Sequence, residues 1–457
     1  MIQQSNQQKL FYYSALLLSS LLLLIPAFYN HYPLFDPDAA TYISSGFLLE
    51  TPIDRPIIYG LLLRILSLNG LTLWLPVLAQ TLIVSWLIFR IIRTIVGDAT
   101  YLIYSLITIL FLSLFTTLSW TVSSIHPDIF TPVCCLSVLL LLAGNEVGKT
   151  RVCLFILFFV SITVHMSHPL MFSGLAICLF LMKRLFLPSY NYRKTGVTVA
   201  VLVGLSLSGI IFMGSALSKS KHVFFVGSLL QKGVLPVYLH EVCDKKAYKL
   251  CAYRDELPKT SDEFVWLSYS PLYKVGGSWP ESKQEFNEIS YDILTTPRYL
   301  GMFITAAFKQ LGEQLVLFRV GDGNFSFPPG TNLNMQLSQY IPREQTMFNH
   351  AYQNNVKLQE RVVVLNTFFA WIILLSVVIL PVLIITAWKK MGSMMRGVII
   401  LSVVGYVVNC ADYATFSTTS GRYGYKMVWM LVFSVIVCFF DIINRKKKAT
   451  SSLHRQS

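Results

Sequence analysis

Apolar residues in this chain come in long blocks parted by short polar breaks, unlike the period-2 and period-3.6 patterns of water-soluble elements. Runs near 11–30, 71–92, 100–118, 129–144, 152–166, 169–186, 197–216, 362–388, 397–411 and 426–443 approach the ~20 residues a helix needs to cross a hydrocarbon layer. The pattern predicts about ten transmembrane helices. The runs at 129–144 and 152–166 are short, and an apolar stretch of about a dozen residues at 57–68 reads as re-entrant or interfacial. The first run has no weighty basic leader and no Ala-x-Ala site, and further runs follow it, so it is expected to be a retained helix.

Composition narrows the class without changing it. With 54% hydrophobic and only 13% charged residues in 457, the chain is an all-α polytopic membrane protein and not a soluble globular one. Its basic residues cluster in alternate loops: Arg90 and Arg93, Lys149 and Arg151, Lys183 to Lys194, Lys389 to Arg396, and Arg445 to Lys448. Positive loops stay in the cytoplasm, so both termini are expected inside and the loops at 31–70, 119–128, 165–169, 217–360 and 412–425 outside. A net charge of +14 is then topological signal and contact with anionic lipid, and no nucleic-acid partner is expected. The expected organisation is a transmembrane catalytic module over 1–216 with its first outside loop at 31–70, a large extracytoplasmic loop region over 217–360, and C-terminal transmembrane helices with a basic tail over 361–457. No fixed-period repeat and no matched pair of interrupted spans is visible.

The chemistry gathers on the outside set of loops. Phe35-Asp36-Pro37-Asp38-Ala39-Ala40-Thr41-Tyr42 places two carboxylates just past the first span, and Arg55-Pro56-Ile57-Ile58-Tyr59 follows. Carboxylates, an arginine and two tyrosines at a membrane edge are costly to desolvate, so they mark a polar cavity or a polar ligand. With Pro127-Asp128 opening a later span, these residues resemble integral-membrane GT-C glycosyltransferases, the superfamily of protein O-mannosyltransferases and the lipid A aminoarabinose transferase. The likeness covers mainly residues 10–185. Many relatives carry Asp-Glu where this chain has Asp38-Ala39, so a role for a second acid falls to Asp36.

That resemblance implies a GT-C-like fold and inverting transfer of a sugar from a polyprenyl-phosphate donor to a glycan, lipid or protein acceptor on the extracytoplasmic face, in a bacterial plasma membrane. Asp38 matches the position of the general base that takes the acceptor's proton, with Asp36 as its fallback. Each also reads as an N-cap for a helix starting near Ala39. Arg55 and Arg422, the latter in Gly421-Arg422-Tyr423-Gly424-Tyr425, are placed to meet donor phosphate, or to act as snorkelling interfacial anchors. Tyr42, Tyr59 and Tyr423 fit substrate contact or the aromatic belt.

His126 and Asp128, with His165 and His168 in His165-Met166-Ser167-His168-Pro169, are the remaining polar intrusions. They suit hydrogen bonds to donor or acceptor, or histidines satisfied between helices. A divalent metal is possible there but not favoured, and no other cofactor is expected. Cys243 and Cys251 can close a small disulfide loop in an oxidising compartment; the other six cysteines lie in apolar runs and read as packing. Two rival classes remain open. A transporter or flippase would place charge near mid-membrane. A polyprenyl-linked glycan ligase or polymerase would rely on basic residues and a histidine in 217–360, where His222, His240 and Arg254 lie. Asn324-Phe325-Ser326 is a lone glycosylation sequon.

Overall fold

In a computed structural model, residues 6–182, 192–276, 279–355 and 357–453 are described; Lys183 and Arg184, two of the basic residues expected inside, lie outside them. The regular elements among the described residues are all helices, with no strand beyond one isolated bridge between Leu34 and Ser124. Among the described residues, five helices are long and apolar enough to cross a membrane: Trp74–Val96, Lys194–Phe212, Lys357–Lys390, Ser393–Phe416 and Gly421–Arg445. A sixth span arises if Lys219–Gln231 and Val234–Val242, bent by 93° at their junction, count as one. These helices make this a membrane protein.

Burial separates the helices by partner. The Phe130–Ala143 helix is buried at all 14 positions, as expected of a segment that is hydrophobic all round and ringed by other helices. It packs against Gly148–Thr163, Trp74–Val96 and Ser393–Phe416. The Lys357–Ala387 helix does the opposite, turning Val363, Val364, Trp371, Leu375 and Ile385 outward. That outward apolar face suits lipid, and Pro381 inside this helix suits a membrane segment, where interior prolines are tolerated.

Residues 217–360 pack as two parts. Buried side chains from Val223 to Phe303 form a core of their own, stitched by the Cys243–Cys251 disulfide. From Val320 to Leu358 the chain instead joins the main core. There the Glu344 carboxylate accepts from the Tyr32 hydroxyl (2.7 Å), the Thr72 hydroxyl (2.5 Å) and the Leu73 N–H (2.8 Å). Gln353 and Asn324 both donate to the Phe35 carbonyl, each at 2.7 Å. These bonds hold the first loop from above, and Asn324 is buried by them, which leaves the sequon asparagine no room for a glycan in the folded chain.

Candidate active site

A single parallel bridge assembles the acid cluster. The Leu34 N–H donates to the Ser123 carbonyl at 2.9 Å, and the Ile125 N–H to the Leu34 carbonyl at 2.8 Å. Side chains two residues apart on an extended strand share a face, so Asp36 and His126, each two beyond the bridged pair, meet with Nε2 3.3 Å from Oδ2. The other Asp36 oxygen accepts the Asp38 N–H at 2.9 Å, an Asx turn that swings Asp38 back toward His126, at 3.5 Å. Asp38 does precede the Ala39–Leu48 helix, but its side chain makes no capping bond. Its carbonyl starts the helix, accepting from the N–H groups of Thr41 and Tyr42 at 3.1 and 3.2 Å.

Two close backbone approaches bring in the arginines. The Ala39–Leu48 and Ile58–Leu66 helices cross at Gly46 and Gly60, where a Cβ on Gly46 would stand 2.1 Å from the Gly60 carbonyl oxygen. This crossing sets Arg55 beside Asp38, with Nη1 3.1 Å from Oδ1, while Asp54 accepts from Nε at 2.8 Å and from Nη2. The guanidinium also lies 5.1 Å from the centre of the Tyr42 ring. At the other end of the chain, a Cβ on Gly424 would stand 2.1 Å from the Leu317 carbonyl oxygen. With glycine there, the last helix starts hard against residues 317–319, and Arg422 reaches Asp36 (3.2 Å), Asp38 (3.1 Å) and Asp128 (3.7 Å) at once.

Behind them a polar chain runs into the protein. His126 Nδ1 accepts the Asp128 N–H at 3.2 Å and lies 3.1 Å from one Asp128 oxygen, while Lys426 Nζ donates to the other oxygen at 3.2 Å. Lys426 donates on to the Tyr413 hydroxyl at 2.8 Å, which lies 3.3 Å from His165 Nε2. Four carboxylates (Asp36, Asp38, Asp54 and Asp128) thus face Arg55, Arg422 and Lys426. Protonation of His126 would balance the charges of the set. Burial disfavours that protonated form, but Asp128 and Asp36 outweigh it and carry His126 up to about 9. Burial raises Asp36 above its ordinary value, with His126 and Arg422 opposing. It pushes Asp38 the same way, yet Arg55, Arg422 and His126 prevail and hold Asp38 well below the usual carboxylate range.

Access separates the two acids. The Asp38 side chain is 26% exposed and that of Asp36 only 5%, so Asp38 is the one a ligand reaches. Of the remaining expected site residues, Tyr42 stacks edge-on to His126 at 5.9 Å. Tyr59 is buried, its hydroxyl donating to Gln80 at 2.9 Å, and Gln80 in turn donates to the carbonyls of Val122 and Ser124. Tyr59 therefore braces the segment that carries His126. His168 is not brought to the acids: its Nδ1 lies 2.7 Å from the Ser161 carbonyl and its Nε2 3.0 Å from the Thr131 hydroxyl. Both of its nitrogens are occupied between helices, and His165 stacks on it at 4.8 Å.

Asp54 and Lys426 join the site without having been expected there. Lys426 carried a usable signal, a lysine opening an apolar run, since an ionisable residue inside a span marks a partner. Asp54 carried none. The basic and histidine residues of 217–360 stay apart from the acids: His222 lies 2.7 Å from the Trp279 carbonyl, and His240 and Arg254 are exposed or half-exposed beside Asp244 and Asp255.

Asp36, Asp38 and His126 offer three ligand atoms within 4.8 Å of one another, a donor set of metal type. Arg422 bridges the same Oδ2 atoms of both acids. The chain matches no protein-family model, no curated protein and no solved structure.

Proposed function

We propose that this protein is a GT-C-like glycosyltransferase that moves a sugar from a polyprenyl-phosphate donor to a glycan, lipid or protein acceptor on the extracytoplasmic side of a plasma membrane. The observation that supports it best is the convergence of Asp38, Asp36, His126 and Arg422 from three distant segments on one partly open acid. In this reading the Asp38 carboxylate takes the acceptor hydroxyl proton as the new C–O bond forms at the anomeric carbon. The bond to the phosphate oxygen breaks, and the pair leaves with the polyprenyl phosphate. A positioned base of this kind contributes roughly 10²–10⁴ in rate. Arg55 and Arg422 balance the leaving charge by shifting donors from carboxylate to phosphate.

Two further features belong to this reading. The short helices Tyr101–Phe115, Phe130–Ala143, Gly148–Thr163 and His168–Leu181, with the broken pair Asn6–Leu23 and Ile25–Asn30, complete about ten spans beside the five long ones. The unit around Val223 to Phe303 and the loop that follows cover the acid cluster from outside. Membranes with the wild-type protein and with Asp38→Asn are compared by the intact masses of their glycolipids and glycans. The proposal expects one glycan or lipid to lose the mass of a single sugar. A change in sidedness without any change in mass would replace the enzyme with a flippase.

A further inference from the structure

A second polar feature lies near the other end of the Trp74–Val96 helix, away from the acids. Gln80 of that helix touches the active-site segment, and Arg93 is thirteen residues on, about 20 Å along the axis at ~1.5 Å per residue. Here Lys9, Tyr12, Tyr13, Arg90, Arg93 and Tyr101 line a cleft of about 220 Å³. We infer that this cleft binds the phosphate of an anionic membrane lipid.

The donors are present and partly free. Arg90 gives Nε (3.1 Å) and Nη2 to Glu146. Arg93 gives only Nε to Asp98, at 2.5 Å, and its guanidinium faces the Tyr101 ring at 5.3 Å. Among the described residues Lys9 makes no ion pair, and the hydroxyls of Tyr12, Tyr13 and Tyr101 make no hydrogen bond. After Glu146 and Asp98 are counted against the two arginines, one positive charge and several donors remain, which is the chemistry of a phosphate site.

Size and surroundings choose the source of that phosphate. The cleft is below the ~300–1,000 Å³ of sites for drug-sized ligands, so it takes one headgroup and not a nucleotide sugar. From its mouth, Tyr13, Leu17 and Leu21 follow at i, i+4 and i+8 on one face of the Asn6–Leu23 helix, and all three are exposed, at 63%, 48% and 41%. Side chains at this spacing form a continuous stripe. An acyl chain has a track exactly where a soluble phosphate would have none of use, and basic clefts at span ends on the side of the positive loops suit anionic headgroups.

The test uses the full-length protein in detergent, with native mass spectrometry read against added phosphatidylglycerol, phosphatidylcholine or inorganic phosphate. Phosphatidylglycerol is expected to be retained preferentially over phosphatidylcholine, and Lys9→Gln with Arg93→Gln to weaken it roughly fivefold per cation removed. Should loss of the Arg93–Asp98 pair unfold that variant, Lys9→Gln with Tyr13→Phe changes two exposed side chains only and is still expected to weaken binding several-fold. Equal retention of the two lipids, or unchanged retention in the variants, overturns the inference. Displacement of phosphatidylglycerol by equimolar inorganic phosphate overturns the lipid as source.

Discussion

Lys426 Nζ lies 3.2 Å from Asp128 Oδ1, and both side chains are buried. The pair closes a line from the partly exposed Asp38 through Arg422 and His126 to the protein interior, so each member holds the next in place. Removing one partner of a buried pair leaves the other's charge uncompensated, at about 3–5 kcal/mol. Lys426→Met is therefore expected to lower the thermal midpoint in detergent by several degrees, and Lys426→Met with Asp128→Asn to recover much of the loss. If the double variant is no more stable than the single one, the two residues are not coupled.

Asp38→Asn is expected to abolish sugar transfer while the protein stays folded and still binds donor. Asparagine keeps the size but cannot take a proton at neutral pH, so the loss, on the order of 10²–10⁴, belongs in turnover more than in affinity. Asp36→Asn is expected to cost less turnover and more stability, because Asp36 is the buried member whose oxygen shapes the turn to Asp38. Transfer by Asp38→Asn within several-fold of the parent would remove the general base, and loss confined to Asp36→Asn would move that role two residues upstream.

His126 sets an alkaline limit. Its value of about 9 in the folded chain lies above its ordinary 6.5. Its imidazolium therefore stabilises the cluster fully below about 6.5, and that stabilisation is lost as pH rises through about 9. Thermal stability and transfer are expected to fall together across that range. His126→Asn, with no group to titrate there, is expected to show a lower midpoint at pH 7 and no step near pH 9 in a differential scan.

Gly424→Ala is expected to displace the start of the last helix and Arg422 with it, since the new Cβ would meet the Leu317 carbonyl oxygen at 2.1 Å. Overpacking of this kind costs about 1–3 kcal/mol, and turnover should fall with it. Gly174→Ala, on a helix where an added Cβ meets nothing within 4 Å, serves as the control and should leave both unchanged.

The orientation of the chain is open to impermeant thiol reagents. A cysteine placed at the exposed Asp255 is expected to react from outside intact cells, and one at Lys390, between the Lys357–Ala387 and Ser393–Phe416 helices, only after lysis. The reverse pattern would put the acid cluster in the cytoplasm.

The helical, membrane-type character of the chain was legible in the sequence, because ~20-residue apolar blocks leave the backbone no partner but itself in hydrocarbon. So was the candidacy of Asp36, Asp38, Arg55, His126, Asp128 and Arg422 as site residues, because charge beside such blocks is costly to leave unpartnered. What the linear order could not show is which of these residues meet. Asp36 and His126 are joined by a register match at the Leu34–Ser124 bridge, and Arg422 by the bare backbone of Gly424. The same folding decided against His168, whose nitrogens are spent on Ser161 and Thr131, and for Lys426 and Asp54. It also divided 217–360, sending Val320 to Leu358 into the main core. A charge signals its cost locally, but its partner is set by backbone approaches between segments up to several hundred residues apart, and only the tertiary structure makes those approaches.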